Sequence, residues 1–144
     1  MAEKKSAVTA ARFASGFTFK DYIAQIKVNK DRFEEYYKTC QLSAEDREFF
    51  QKVVKMSNGA ARVLVLGEDW CPDVFRGMPA IARITEASGM EMRVFPRDQN
   101  LDIMNEFLNH GQFMHSRCIM ARRELFECFA YPLIRFLCNF NALF

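Results

Sequence analysis

The sequence predicts an α/β fold: a strand–helix–strand unit with helices ahead of it. Three observations carry this. The run Val63-Leu64-Val65-Leu66 is apolar, rich in β-branched residues and short enough for a buried strand. After Cys71-Pro72 a helix-like pattern begins, with Val74, Phe75, Met78, Ile81, Ala82 and Thr85, and proline suits a first helical turn, where its missing N–H is not needed. Met90 to Pro96 (MEMRVFP) alternates loosely and reads as a second strand. Two strands joined through a helix should be parallel, with a right-handed crossover.

A chain of 144 residues fits a single domain with a real core. Half of it is hydrophobic, with 15 phenylalanines. A net charge of +2 makes no case for nucleic-acid binding or for field steering. The N-terminal MAEKKSAVTAARF lacks the continuous apolar run of a signal peptide, and five cysteines are an odd number. Both argue against a disulfide framework and make a reducing cytoplasm the expected compartment. Cys40, Cys71, Cys118, Cys128 and Cys138 have no Cys-x-x-Cys or Cys/His spacing, and no cysteine pair brackets His110 and His115. No metal or other cofactor is expected.

In chain order, residues 1–16 are small and polar and read as a frayed lead-in. Thr18 caps a short helix carrying Phe19, Tyr22, Ile23 and Ile26, and Asn29 or Lys30 opens a second with Phe33, Tyr36 and Tyr37. Ser43, with Asp46 three residues on, caps a third that turns Phe49, Phe50, Val53, Val54 and Met56 inward. Ser57-Asn58-Gly59 ends it, the glycine suiting a left-handed cap. Aromatics at helical spacing indicate that these helices cover the sheet rather than present a partner surface. Ala87-Ser88-Gly89 closes the helix after Cys71. Asp98 or Asn100 caps a last helix that buries Leu101, Met104, Phe107 and Leu108 and ends at Gly111. The expected organisation within one domain is an N-terminal helical extension (1–60), a core (61–113) and an atypical apolar tail (114–144).

The stretch Glu68-Asp69-Trp70-Cys71-Pro72-Asp73, with Pro79 in the following helix, resembles the active-site region of the thioredoxin superfamily. The resemblance is to its bacterial thioredoxin-like members of Asp-Trp-Cys-x-Asp type, and it runs from about Ala61 through MRVFPRDQNLDIMNEFLNHGQF to Phe113. It implies a thioredoxin-like fold and thiol–disulfide chemistry on protein or low-molecular-weight thiol and disulfide substrates. One departure matters: Val74 stands where the second cysteine of the family pair would be.

Cys71 is thus expected at a strand-to-helix junction, where free N–H groups and the helix dipole favour a thiolate nucleophile. Without a second thiol at 74 it would work as a monothiol, resolved by glutathione or another external thiol, with Cys118 as a distant alternative. Asp69 and Asp73 oppose reactivity if aimed at the sulfur; Asp73 instead suits the helix's first turn. Trp70 shields the site or simply packs. Arg76 pairs with Asp73, assists the thiolate or is a solvated surface residue. The competing expectation is an inert Cys71 in a non-catalytic thioredoxin-fold interaction domain.

The family's cis-proline loop should follow Phe113, but Met114-His115-Ser116-Arg117-Cys118 contains no proline, and the next is Pro132. From Ala121 to Phe144 the chain is apolar without a hairpin turn signal, so the C-terminal β-hairpin is expected to be replaced or missing. Glu127, Pro132 and Arg135 argue against a membrane span. A helix pair broken at Tyr131-Pro132 is one reading. The favoured one is a truncated or frameshifted product: His115 to Ile119 can be encoded CAT TCC CGT TGT ATT, and a one-base shift reads Ile-Pro-Val-Val, a cis-proline loop entering a strand. An apolar tail with no core to cover would drive self-association.

Overall fold

The apolar run forms β1 (Ala60–Leu66), an inner strand of a four-stranded sheet of order β2-β1-β3-β4. The computed structural model describes residues 6–56, 59–107, 117–122 and 128–132, the last two segments as backbone. Among these, α1 (Ala10–Ala14), α2 (Phe19–Gln25), α3 (Lys30–Thr39) and α4 (Ala44–Lys55) precede β1. After it come α5 (Pro72–Ser88), β2 (Glu91–Phe95), a 3₁₀ turn (Arg97–Gln99), α6 (Leu101–Glu106), β3 (Arg117–Arg122) and β4 (Cys128–Pro132). β2 pairs parallel to β1, from Arg62 opposite Glu91 to Leu66 opposite Phe95, as the βαβ pattern requires.

β1 is apolar throughout because both of its faces are covered. Val63 and Val65 pack with Met92 and Val94 against Tyr22, Phe33, Leu42 and Phe50 and the inner face of α5. Leu64, Leu66 and Phe95 face the other way, onto Val8, Phe13, Ile103 and Met104. Helices therefore cover both faces of the sheet.

Local signals set several helix ends. Thr18 accepts the Asp21 N–H, and Ser43 and Asp46 form a reciprocal capping box. Gly89 ends α5 in the left-handed region at φ 80°, where no Cβ is tolerated cheaply.

Other expectations are corrected. The C-terminal hairpin is neither replaced nor missing. β3 runs antiparallel along the free edge of β1, with Leu66 opposite Arg117, and β4 runs antiparallel along β3. An inner strand has two rows of backbone donors and acceptors to satisfy, and the chain after α6 supplies the second partner. The turn, 123–127, lies outside the described residues; its sequence carries no glycine or asparagine to announce it. Pro132 falls at the end of the edge strand, opposite Arg117, a place in a sheet that tolerates proline.

The lead-in is structured from Ser6. Thr9 caps α1, Val8 and Phe13 are buried, and Glu106 accepts the Ser6 hydroxyl (2.6 Å) and the Ala7 N–H (2.7 Å). On α4, Phe50 and Val54 point inward one turn apart, whereas Phe49 and Met56 face solvent. At Gly59 a Cβ would sit 2.3 Å from the Val53 carbonyl oxygen, so close approach demands glycine. On α6, Ile103 and Met104 are buried and Leu101 is exposed. Asn100 makes no side-chain cap, its amide donating to the Pro96 carbonyl instead. Leu108, Gly111 and the loop expected after Phe113 lie outside the described residues. Among the described residues no helix is long and apolar enough to cross a membrane.

Candidate functional site

β1 continues one step past Leu66, with the Gly67 N–H donating to the Phe95 carbonyl (3.2 Å). The chain then turns through Glu68-Asp69-Trp70, and the Cys71 N–H closes the turn on the Glu68 carbonyl (3.2 Å). Cys71 is the N-cap of α5. Its backbone is extended (φ −83°, ψ 122°), and its carbonyl accepts the N–H of Val74 (3.0 Å) and Phe75 (3.2 Å). Pro72 occupies the first turn, and the Cys71 side chain caps no N–H. The thiol therefore stands where the spacing predicts, between a buried strand and a helix start.

Its exposure is the surprise. Cys71 is 4% exposed and packs in the cluster that holds Tyr22, Phe33, Val74 and Phe75. Val74 is fully buried, and both its methyl carbons lie 2.8 Å from where a Cβ on Gly67 would be. The position of the missing second cysteine is thus wedged against the strand end.

The flanking residues are distributed as follows. Asp69 Oδ2 accepts the backbone N–H of Lys27 (3.1 Å) and of Val28 (3.2 Å), and the Asp69 carbonyl accepts Asn29 Nδ2 (3.0 Å). Trp70 is 47% exposed, with the Arg97 guanidinium 5.3 Å from its ring centre. Arg97 also pairs with Asp98, whose N–H donates to Glu68 Oε1 (2.8 Å), tying the site turn to the segment after β2. Pro72 is exposed, and Asp73 sits half-buried in the first turn of α5. Arg76 is exposed and lies over the Phe75 ring at 6.0 Å. Cys118 lies on β3 opposite Val65, on the strand next to the one that leads into Cys71.

Tyr22 was not singled out for the site from the sequence, where it reads as one more core aromatic. It is 2% exposed, and its hydroxyl donates to the Gly67 carbonyl (3.3 Å). Burial pushes its phenol far above the usual range, and the negative charges of Asp69 and Glu68 and the Cys71 thiol push the same way. Cys40 and Cys71 are free thiols; burial raises the Cys40 thiol, partly offset by Arg83. A cavity of about 490 Å³ opens on the other flank of Phe33, between α2, α3 and α5, with Phe19, Ile23 and Met92 in its wall. Among the described residues no three His, Cys, Asp or Glu side chains converge as a metal site would need.

A sheet of this order, with a cysteine at the N-cap position of the helix that follows an inner strand, defines a protein of thioredoxin fold. The thioredoxin family model matches residues 16–124, most of the chain, and the chain belongs to that family. Two solved structures share the fold, each at 16% identity and over 88% of this chain. One is a Pseudomonas aeruginosa protein of unknown function, 77% covered, with a TM-score of 0.71. The other is an HIV epitope scaffold, 78% covered, with a TM-score of 0.70. No curated protein shows significant similarity to the chain.

Proposed function

We propose that this protein is a monothiol thiol–disulfide oxidoreductase of the Asp-Trp-Cys-x-Asp type, acting at Cys71 in a reducing, bacterial-type cytoplasm. The observation that carries the reading is the placement of Cys71 at the N-cap of α5, directly after β1. In the reaction the Cys71 thiolate attacks one sulfur of a disulfide. A new S–S bond forms, the old one breaks, and the leaving thiolate takes up a proton. With Val74 unable to attack, a second molecule of thiol attacks the substrate sulfur of the mixed disulfide; a new S–S bond joins that thiol to the bound half, which departs as a disulfide, and Cys71 leaves as the thiolate. Substrates are proteins or low-molecular-weight disulfides, with glutathione as the resolving thiol.

The test is incubation of the full chain with glutathione disulfide, followed by peptide mass mapping. A glutathione on Cys71 that dithiothreitol removes, absent in Cys71→Ser, is expected. Modification only at other cysteines refutes the reading. A Val74→Cys variant should gain insulin-reducing activity, because the valine already occupies the second-cysteine position one helical turn on.

The burial of Cys71 favours a second reading, a thioredoxin-fold interaction domain in which the cysteine is core packing. A Cys71→Ala variant that still binds its partner would support that reading. The frameshift remains a separate proposal about the gene. It rests on a choice of codons for His115 to Ile119 that would encode Ile-Pro-Val-Val one base away, not on the hairpin, which forms from the sequence as it stands. Resequencing that finds no such base change removes it.

A further inference from the structure

The turn carrying Cys71 is fastened by a segment some forty residues earlier in the chain. Tyr22 on α2 holds the Gly67 carbonyl. Asp69 holds the connection between α2 and α3 by three hydrogen bonds: two from the backbone of Lys27 and Val28 to one carboxylate oxygen, and one from the Asn29 amide to its carbonyl. Asn29 adopts a left-handed backbone, φ 57°, and opens α3. Phe33, one turn into α3, stands edge-on to Tyr22 at 6.0 Å and to Phe75 at 6.3 Å, closing the cluster in which Cys71 lies. Ile26 is half-buried against the core, whereas Lys27 and Val28 are exposed, so hydrogen bonds rather than apolar burial hold these two down. A short exposed segment fixed mainly by hydrogen bonds opens at far lower cost than the core beneath it.

We propose that Tyr22 and Asp69 are positioning residues for Cys71, latching the 26–29 connection onto the Glu68–Cys71 turn so that a disulfide reaches the thiol only when the Asp69 latch releases. This rests on the redox reading of Cys71 for its purpose, but not for its test. The latch controls access for any reagent that attacks the sulfur. Asp69 holds the connection through hydrogen bonds, its Oδ2 accepting from two backbone donors.

The test is the rate of iodoacetamide labelling at Cys71 in the full chain, followed by peptide mass mapping across the pH range in which thiols ionise. Asp69→Ala removes the carboxylate acceptor. Asn29→Gly removes one latch bond, keeps the left-handed backbone and changes no charge. Tyr22→Phe frees the Gly67 carbonyl. Asp69→Ala removes two charge-assisted hydrogen bonds and should raise the rate at least about tenfold, and the other two several-fold. Each rate–pH curve should rise by the same factor throughout, and labelling should stay insensitive to low urea, as local opening does. A curve that only slides along the pH axis means that Asp69 acts by charge and overturns the latch. Unchanged rates overturn it too, as does labelling that rises steeply with urea, which reports global unfolding. If the variants label fast yet take no glutathione from glutathione disulfide, the latch stands and the redox reading falls.

Discussion

The contact between Gly67 and Val74 offers a sharp test of how the site turn is packed. In Gly67→Ala the new methyl would lie 2.8 Å from both γ carbons of Val74, inside any tolerable contact. Rotating Val74 gives little relief, because a β-branched side chain on a helix is confined to essentially one rotamer. The strand end or the start of α5 must shift instead, and overpacking of this kind costs about 1–3 kcal/mol. Val74→Ala alone removes two buried methyl groups, worth about 0.8 kcal/mol each, plus a cavity term, for a total of roughly 2–3 kcal/mol. In the double variant the alanine methyl at 67 enters the space the valine vacates. The double variant should therefore be more stable than the sum of the singles by about 1–2 kcal/mol. Equilibrium urea unfolding measures this; with a slope of about 1–3 kcal/mol per molar and no change in slope, the coupling is a displacement of the midpoint on the order of 1 M. Additivity within about 0.5 kcal/mol would refute the reasoning, since independent sites behave that way.

Alkaline stability supplies another prediction. Burial raises both Tyr22 and Cys40, so the folded state keeps their protons to higher pH than the unfolded chain does. The stabilisation is complete below the ordinary values of 9.0 for the thiol and 10.0 for the phenol and is lost as pH climbs past them. Thermal melts should therefore fall on the alkaline side, and Tyr22→Phe should flatten that limb; an equally steep limb in the variant would show that the phenol is not responsible. Ser43→Ala removes the acceptor for the Asp46 N–H (3.0 Å) and should lower stability by about 1 kcal/mol in urea unfolding. Gly89→Ala meets no neighbour within 4 Å yet forces φ 80° on an L-residue. It should cost about 1–2 kcal/mol from backbone strain alone, with no packing change in the near-ultraviolet spectrum.

What could be read from the sequence was whatever neighbouring residues decide among themselves. The caps at Thr18, Ser43 and Gly89 involve partners within four residues, and the apolar run at Val63–Leu66 declares a strand covered on both faces. The Cys71-Pro72 junction follows from the same short-range chemistry. Tertiary structure decided the rest, because the competing partners lie far along the chain. Nothing near Phe49 or Met56 says that the inward stripe of α4 runs through Phe50 and Val54 instead. The lead-in gains order only by covering Leu64, Leu66 and Phe95 and by bonding Glu106, about a hundred residues away. The hairpin of β3 and β4 exists because an inner strand needs a second neighbour, a demand that no turn signal in the chain records. Whether Asp69 faces the thiol or the backbone of Lys27 and Val28, and whether Cys71 is open or covered, depends on where α2 and α3 come to rest. Hydrogen-bond donors and apolar surface act on whatever the fold brings within a few ångströms, whatever the separation along the chain.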